Sequence, residues 1–210
     1  MISAGKKSEV VWGDGNWIFL DIGFSSNGRT CGYASGDEDP QNLTYADARK
    51  AVIEKLREQN GFISLVIEAP LSVCFDSKGN PKGRRIERRG SKTRYWYSGL
   101  GCSVLTAAMY LIRDIQKETE GLPHIRVRLF EGFVSFKDAG TDHAEDVSDL
   151  RRIVKNALQH QDSICSSEEL KFCEDDDLYS AFRVAGLDCG VPAVIIAKPS
   201  TLTHLNISLP

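Results

Sequence analysis

The sequence predicts a single α/β domain built on a mixed β-sheet. Three observations carry this reading. Residues 17–22 and 62–69 are continuous apolar runs of strand length, as expected for strands buried on both faces. Residues 124–131 alternate, with Ile125, Val127 and Leu129 against Arg126 and Arg128. Helical periodicities fall between and after these runs, so strands and helices alternate behind an N-terminal hairpin.

The elements follow in order. Residues 1–16 are polar, and Gly13-Asp14-Gly15 marks a turn. Ser25 to Gly28 reads as a hairpin turn leading to a return strand over 29–35, and Gly36 to Pro40 as a loop. Thr44 is a candidate N-cap for a helix over 45–59, with Val52, Ile53 and Leu56 as its stripe and Gly61 as its stop. Pro70 ends the second apolar strand. Residues 71–98 carry Gly, Pro and many cations without periodicity, and read as a long loop or insertion. Helices are expected over 101–118 and 142–160, the latter through Val147, Leu150, Val154 and Ala157. A short helix is expected near Ser167 and a late helix over 176–185, followed by a last strand over 191–197.

Composition narrows the function classes. The chain has 210 residues, 41% hydrophobic and 26% charged, enough for one sizeable core. No apolar run approaches the roughly 18 residues of a membrane span, and the first residues lack a hydrophobic signal core, so a soluble cytoplasmic protein is expected. The six cysteines are dispersed and form no C-x-x-C pair, which favours reduced thiols. His124, His143, His160 and His204 are isolated in sequence, with no zinc-type spacing. No P-loop motif is present.

Two features carry chemistry. The first is acidic. Asp21 and Glu68 each end an apolar strand, where a lone buried carboxylate is costly. Carboxylates at neighbouring strand ends can share a hard cation, which points to Mg²⁺ or Mn²⁺ and phosphate chemistry. Glu174-Asp175-Asp176-Asp177 opens the expected late helix, and Glu131 closes the alternating strand. The second is basic. The net charge is −3, yet residues 78–94 hold eight cations and one acid and run into Tyr95-Trp96-Tyr97. Cations neutralise phosphates and aromatics stack on bases, so Arg84, Arg85, Arg88, Arg89, Lys92, Arg94 and Trp96 are the candidate nucleic-acid contacts.

The combination of an Asp ending the first hairpin strand, Ile67-Glu68-Ala69-Pro70, Glu131, and a late Asp-x-x-x-Ala resembles the RNase H-like nuclease superfamily. The nearest likeness is to its domain-of-unknown-function branch akin to RuvC-type resolvases, and it extends over about residues 10–197. The resemblance implies a metal-dependent nuclease cutting DNA or RNA. Asp21, Glu68 and Asp177 would be catalytic, and Asp21, Glu68, Glu131, Asp176 and Asp177 would hold Mg²⁺ or Mn²⁺. Ser180 stands where the family pattern often has a second acid. Junction-cutting members act as dimers, which leaves a homodimer open. Two alternatives stand beside this reading. One is a catalytically degenerate RNase H-like module that binds nucleic acid or protein. The other is an actin-like or sugar-kinase-type nucleotide enzyme, suggested by the phosphate-loop character of Asp21 to Gly28.

Overall fold

A computed structural model describes residues 1–24, 28, 30–89, 92–93, 100–134, 142–183 and 186–197, with positions 89, 92, 93 and 100 as backbone alone. In chain order the strands and helices are β1 (Ile2–Ala4), β2 (Asn16–Ile22), β3 (Cys31–Ser35), β4 (Gln41–Leu43), α1 (Tyr45–Glu58), β5 (Gly61–Glu68), β6 (Ser72–Phe75), β7 (Pro81–Lys82), β8 (Arg88–Arg89), β9 (Lys92–Thr93), α2 (Leu100–Gly121), β10 (Ile125–Phe133), α3 (His143–Lys155), β11 (Ile164–Cys165), β12 (Asp177–Ser180) and β13 (Val194–Ile196).

The main sheet runs β11-β13-β10-β5-β2-β3-β4. Its centre is parallel, from β13 through β10 and β5 to β2. The hairpin partners β3 and β4 are antiparallel, as is β11 at the other edge. β1 joins β10 along Val127–Leu129, just ahead of the stretch that β13 takes. The polar N-terminal segment expected before β2 thus contributes a strand. Ile2 and Ala4 supply the side chains for it, and the α-amino group of Met1 donates to the Ile125 carbonyl.

Helices cover both faces of the sheet, which is why β2 and β5 read as unbroken apolar runs. On one face Ala48, Val52 and Leu56 of α1 and Val104, Ala108, Leu111, Ile112 and Ile115 of α2 pack on Ile18, Leu20, Ile63, Leu65, Ile67, Val127 and Leu129. On the other, Val147, Leu150, Ile153 and Val154 of α3 pack on Trp17, Phe19, Ala34, Val66 and Phe130. Each fully buried Val, Leu, Ile or Phe among them contributes about 1.5–3 kcal/mol. Thr44 caps α1 by accepting the Asp47 amide at 3.1 Å, and Gly61 (φ 92°) makes the turn into β5. No described helix is long and apolar enough to cross a membrane. All six thiols are free.

Two expectations are corrected. The described part of the segment after Pro70 is folded: β6 pairs with β7, and β8 with β9. Residues 177–180, expected in the late helix over 176–185, form strand β12 instead, antiparallel to β6. The apolar spacing of Leu178, Ala181 and Phe182 mimics a helical stripe. Leu178 and Ser180 instead face inward with strand alternation, while Asp177 and Tyr179 face out. The expected hairpin turn and residues 94–98 of the arm lie in part or wholly outside the described residues.

Candidate metal centre

Strand register explains how the site is assembled. Asn42 lies opposite Gly32, Gly32 opposite Asp21, Asp21 opposite Glu68, and Glu68 opposite Gly132. These five residues form one row across five strands near the carboxyl ends of β2, β5 and β10. All share the face that α3 covers, because they keep the parity of Phe19, Ala34, Val66 and Phe130. The row has two acids and two gaps. A Cβ on Gly32 would overlap the His143 carbonyl, and one on Gly132 would lie 2.8 Å from Leu150 Cδ1. The two glycines therefore let α3 lie directly on the row.

That close approach brings the first turn of α3 onto Asp21. His143 Nδ1 is 2.7 Å from Asp21 Oδ2. Gly23 lacks the Cβ that would overlap His143 Nε2, so the ring rests against the β2–β3 backbone and turns Nδ1 to the carboxylate. Asp146, three residues on, lies on the same side of the helix and is 1% exposed. Ligand atoms of Asp21, His143 and Asp146 all fall within 4.8 Å of one another. Glu68, 6% exposed, borders this group from the next strand.

The donor set suits a divalent cation. Bonds of about 2.0–2.1 Å at right angles place neighbouring ligand atoms ~2.9 Å apart, close to the His143–Asp21 spacing. Two carboxylates and one imidazole give mostly hard oxygen donors with one borderline nitrogen, a set compatible with Mn²⁺ or Mg²⁺. Concentrating carboxylates at a helix N-terminus is also favourable, since the positive end of the helix dipole meets them.

The remaining acids named from sequence are elsewhere. Glu131 keeps the parity of Ile125, Val127 and Leu129, so it lies on the opposite face of the sheet from Asp21. There it is fully buried against Arg84. Arg84 Nη1 donates to Glu131 Oε2 at 2.7 Å and to Ser72 Oγ at 2.8 Å, while Nε and Nη2 reach Glu87 Oε1 at 2.9 and 2.7 Å. The Leu71 amide also donates to Glu131 Oε2, at 2.8 Å. Burial pushes the Glu131 carboxyl up from its ordinary value, although the guanidinium opposes it. Asp176 closes a turn by accepting the Phe172 and Cys173 amides at 3.0 and 3.1 Å, and it pairs with Lys82 at 2.8 Å. Asp177 is exposed on β12 and outside the ligand group. Ser180 ends β12 and accepts the Phe182 amide at 3.3 Å.

The basic segment divides in the same way. Arg84 is 0% exposed and cannot reach a phosphate. Arg85 and Arg88 are exposed. The side chains of Arg89 and Lys92, and all of Arg94 and Trp96, lie outside the described residues.

His143 and Asp146 do not carry the strand-end signal that singles out Asp21 and Glu68 in the sequence. A signal was present: His-x-x-Asp in the first turn of an amphipathic helix, behind the N-cap Asp142, whose side chain accepts the Glu145 amide at 2.7 Å. Comparison with protein-family models, with curated proteins and with solved structures found no match.

Proposed function

We propose that the chain is a metal-dependent nuclease of RNase H-like architecture that hydrolyses phosphodiester bonds in DNA or RNA. The single observation that carries this reading is the convergence of Asp21, His143 and Asp146, with Glu68 beside Asp21 on the next strand, at the carboxyl ends of parallel β2 and β5. A strand order of β4-β3-β2-β5-β10, with an antiparallel hairpin followed by parallel strands, supports the same architecture. Ligands in open α/β sheets collect at these strand ends.

In this reading Asp21, His143 and Asp146 hold Mn²⁺ or Mg²⁺. When bound, such a cation polarises a phosphoryl oxygen and lowers the pKa of water. Asp21 is the central ligand because it touches His143 and neighbours Glu68. Glu68 completes the shell or accepts a proton from the attacking water. Exposed Arg85 and Arg88 neutralise backbone phosphates on the substrate. Arg84 serves this indirectly, by fastening their segment to the end of β10 through Glu131.

The test is cleavage of labelled single-stranded, duplex and branched DNA and RNA with Mn²⁺ or Mg²⁺. Wild type is compared with Asp21→Asn and Asp146→Asn. Metal-dependent cutting that falls at least a hundredfold in both variants supports the proposal. Binding without cutting, unchanged by either substitution, would make the chain a binding module.

A further inference from the structure

The row that carries Asp21 ends at Asn42 on the edge strand β4, and this residue reaches α3. Asn42 Oδ1 accepts the Ala144 amide at 3.1 Å, and its Nδ2 donates to Asp142 Oδ2 across 3.4 Å. Asp142 Oδ1 in turn accepts the Glu145 amide. Two of the amides that a helix start leaves unpaired, those of Ala144 and Glu145 directly after His143, are thus met, one by the sheet and one by the helix's own cap. Gly32, between Asn42 and Asp21, leaves the space into which the His143 carbonyl settles.

We infer that Asn42 is a positioning residue for the metal centre. It holds the first turn of α3 at the height over the sheet where His143 and Asp146 meet Asp21. The inference rests on the metal-site reading above. An edge strand otherwise has no need of an amide side chain aimed at a helix on its face. Outer partners that orient ligands alter metal affinity about 10–100-fold when removed. Here the orientation acts through the backbone: the Asn42–Ala144 bond fixes the peptide that follows His143, and Asp142 fixes the next one, at Glu145. Both functional groups of the Asn42 amide are used, so neither alanine nor aspartate can replace it alone.

The experiment titrates Mn²⁺ into metal-free protein by calorimetry, well below the melting temperature of every variant. Asn42→Ala and Asn42→Asp are expected to weaken Mn²⁺ binding at least tenfold. In Asn42→Asp the acceptor remains but a carboxylate faces Asp142. The double exchange Asn42→Asp with Asp142→Asn reverses the donor between the two side chains and keeps all three hydrogen bonds. It is expected to return the affinity to within threefold of wild type. Hydrogen exchange at the Ala144 amide of the metal-free protein should quicken in Asn42→Ala and recover in the double exchange. Asn42→Ala binding Mn²⁺ within twofold of wild type would overturn the inference and leave the metal site standing. Failure of the double exchange to restore affinity would overturn it too. A wild type that binds no Mn²⁺ removes the metal-site reading itself, and the inference with it.

Discussion

Gly32→Ala probes the site without touching a charged group. The added Cβ would overlap the His143 carbonyl and lie 3.1 Å from the Ala144 amide nitrogen. Both are backbone atoms, so no side chain can rotate away. An ordinary carbon–oxygen contact is about 3.3 Å, and restoring it requires the first turn of α3 to retreat by roughly 1 Å or more. The His143 Nδ1 to Asp21 Oδ2 separation, now 2.7 Å, would open to about 3.7 Å. Two atoms that far apart no longer share a hydrogen bond and strain the right-angle geometry of a common cation. Overpacking of this kind costs about 1–3 kcal/mol in folding free energy. Loss of alignment at one of the ligands should weaken Mn²⁺ binding at least tenfold, or about 1.4 kcal/mol. Urea unfolding of the metal-free protein reads the first quantity and calorimetric titration the second. Gly13→Ala is the control, since nothing lies within 4 Å of its Cβ position. Gly32→Ala with stability within 0.5 kcal/mol of wild type and unchanged Mn²⁺ affinity would refute the packing argument.

Three further outcomes are expected. Arg84→Met leaves the carboxylates of Glu87 and Glu131 buried without their cation, and should cost about 3–5 kcal/mol by urea unfolding. Adding Glu131→Gln should recover part of that loss, and strict additivity would show that the two side chains are not coupled. Asp176 shows an acid dependence of known sign. Burial alone would raise its carboxyl, but Lys82 and the Cys173 and Phe172 amides outweigh it and hold it below the ordinary value of 3.8. Its contribution is present above that value and lost as pH falls through the lower folded one, so Asp176→Asn should flatten the stability profile below about pH 4. Replacing exposed Arg85 and Arg88 together by Ala should weaken single-stranded nucleic-acid binding and reduce the salt slope by ~0.7 per lost phosphate contact, in filter binding across a salt series. An unchanged slope would remove both residues from the interface.

Local sequence was sufficient for the elements whose pattern matches their surroundings. Thr44, the 3–4 spacing of Val52 and Leu56, and Gly61 place α1 within a residue of its ends. Val147, Leu150 and Val154 place α3. The apolar runs of β2 and β5 state burial on both faces, and hence helices above and below the sheet. Local pattern failed at β12, where Leu178, Ala181 and Phe182 satisfy a helical period although the chain is extended. Pairing with Ser72–Phe75, about a hundred residues away, outweighs that period.

That Asp21 and Glu68 end buried strands is legible from the apolar runs that lead to them, and with it the cost of burying two acids without a partner. Their adjacency is a matter of register, which only the assembled sheet decides. The same register separates Glu131 from them. One residue of parity sends it to the opposite face, where Arg84 meets it. His143 and Asp146 enter because Gly32 and Gly132 carry no side chain and so admit α3 against the row. A charged residue advertises its chemistry in the sequence, whereas its neighbours depend on strand pairing and on where backbones come close. Those are long-range choices of the folded chain, made by burial and hydrogen bonding together.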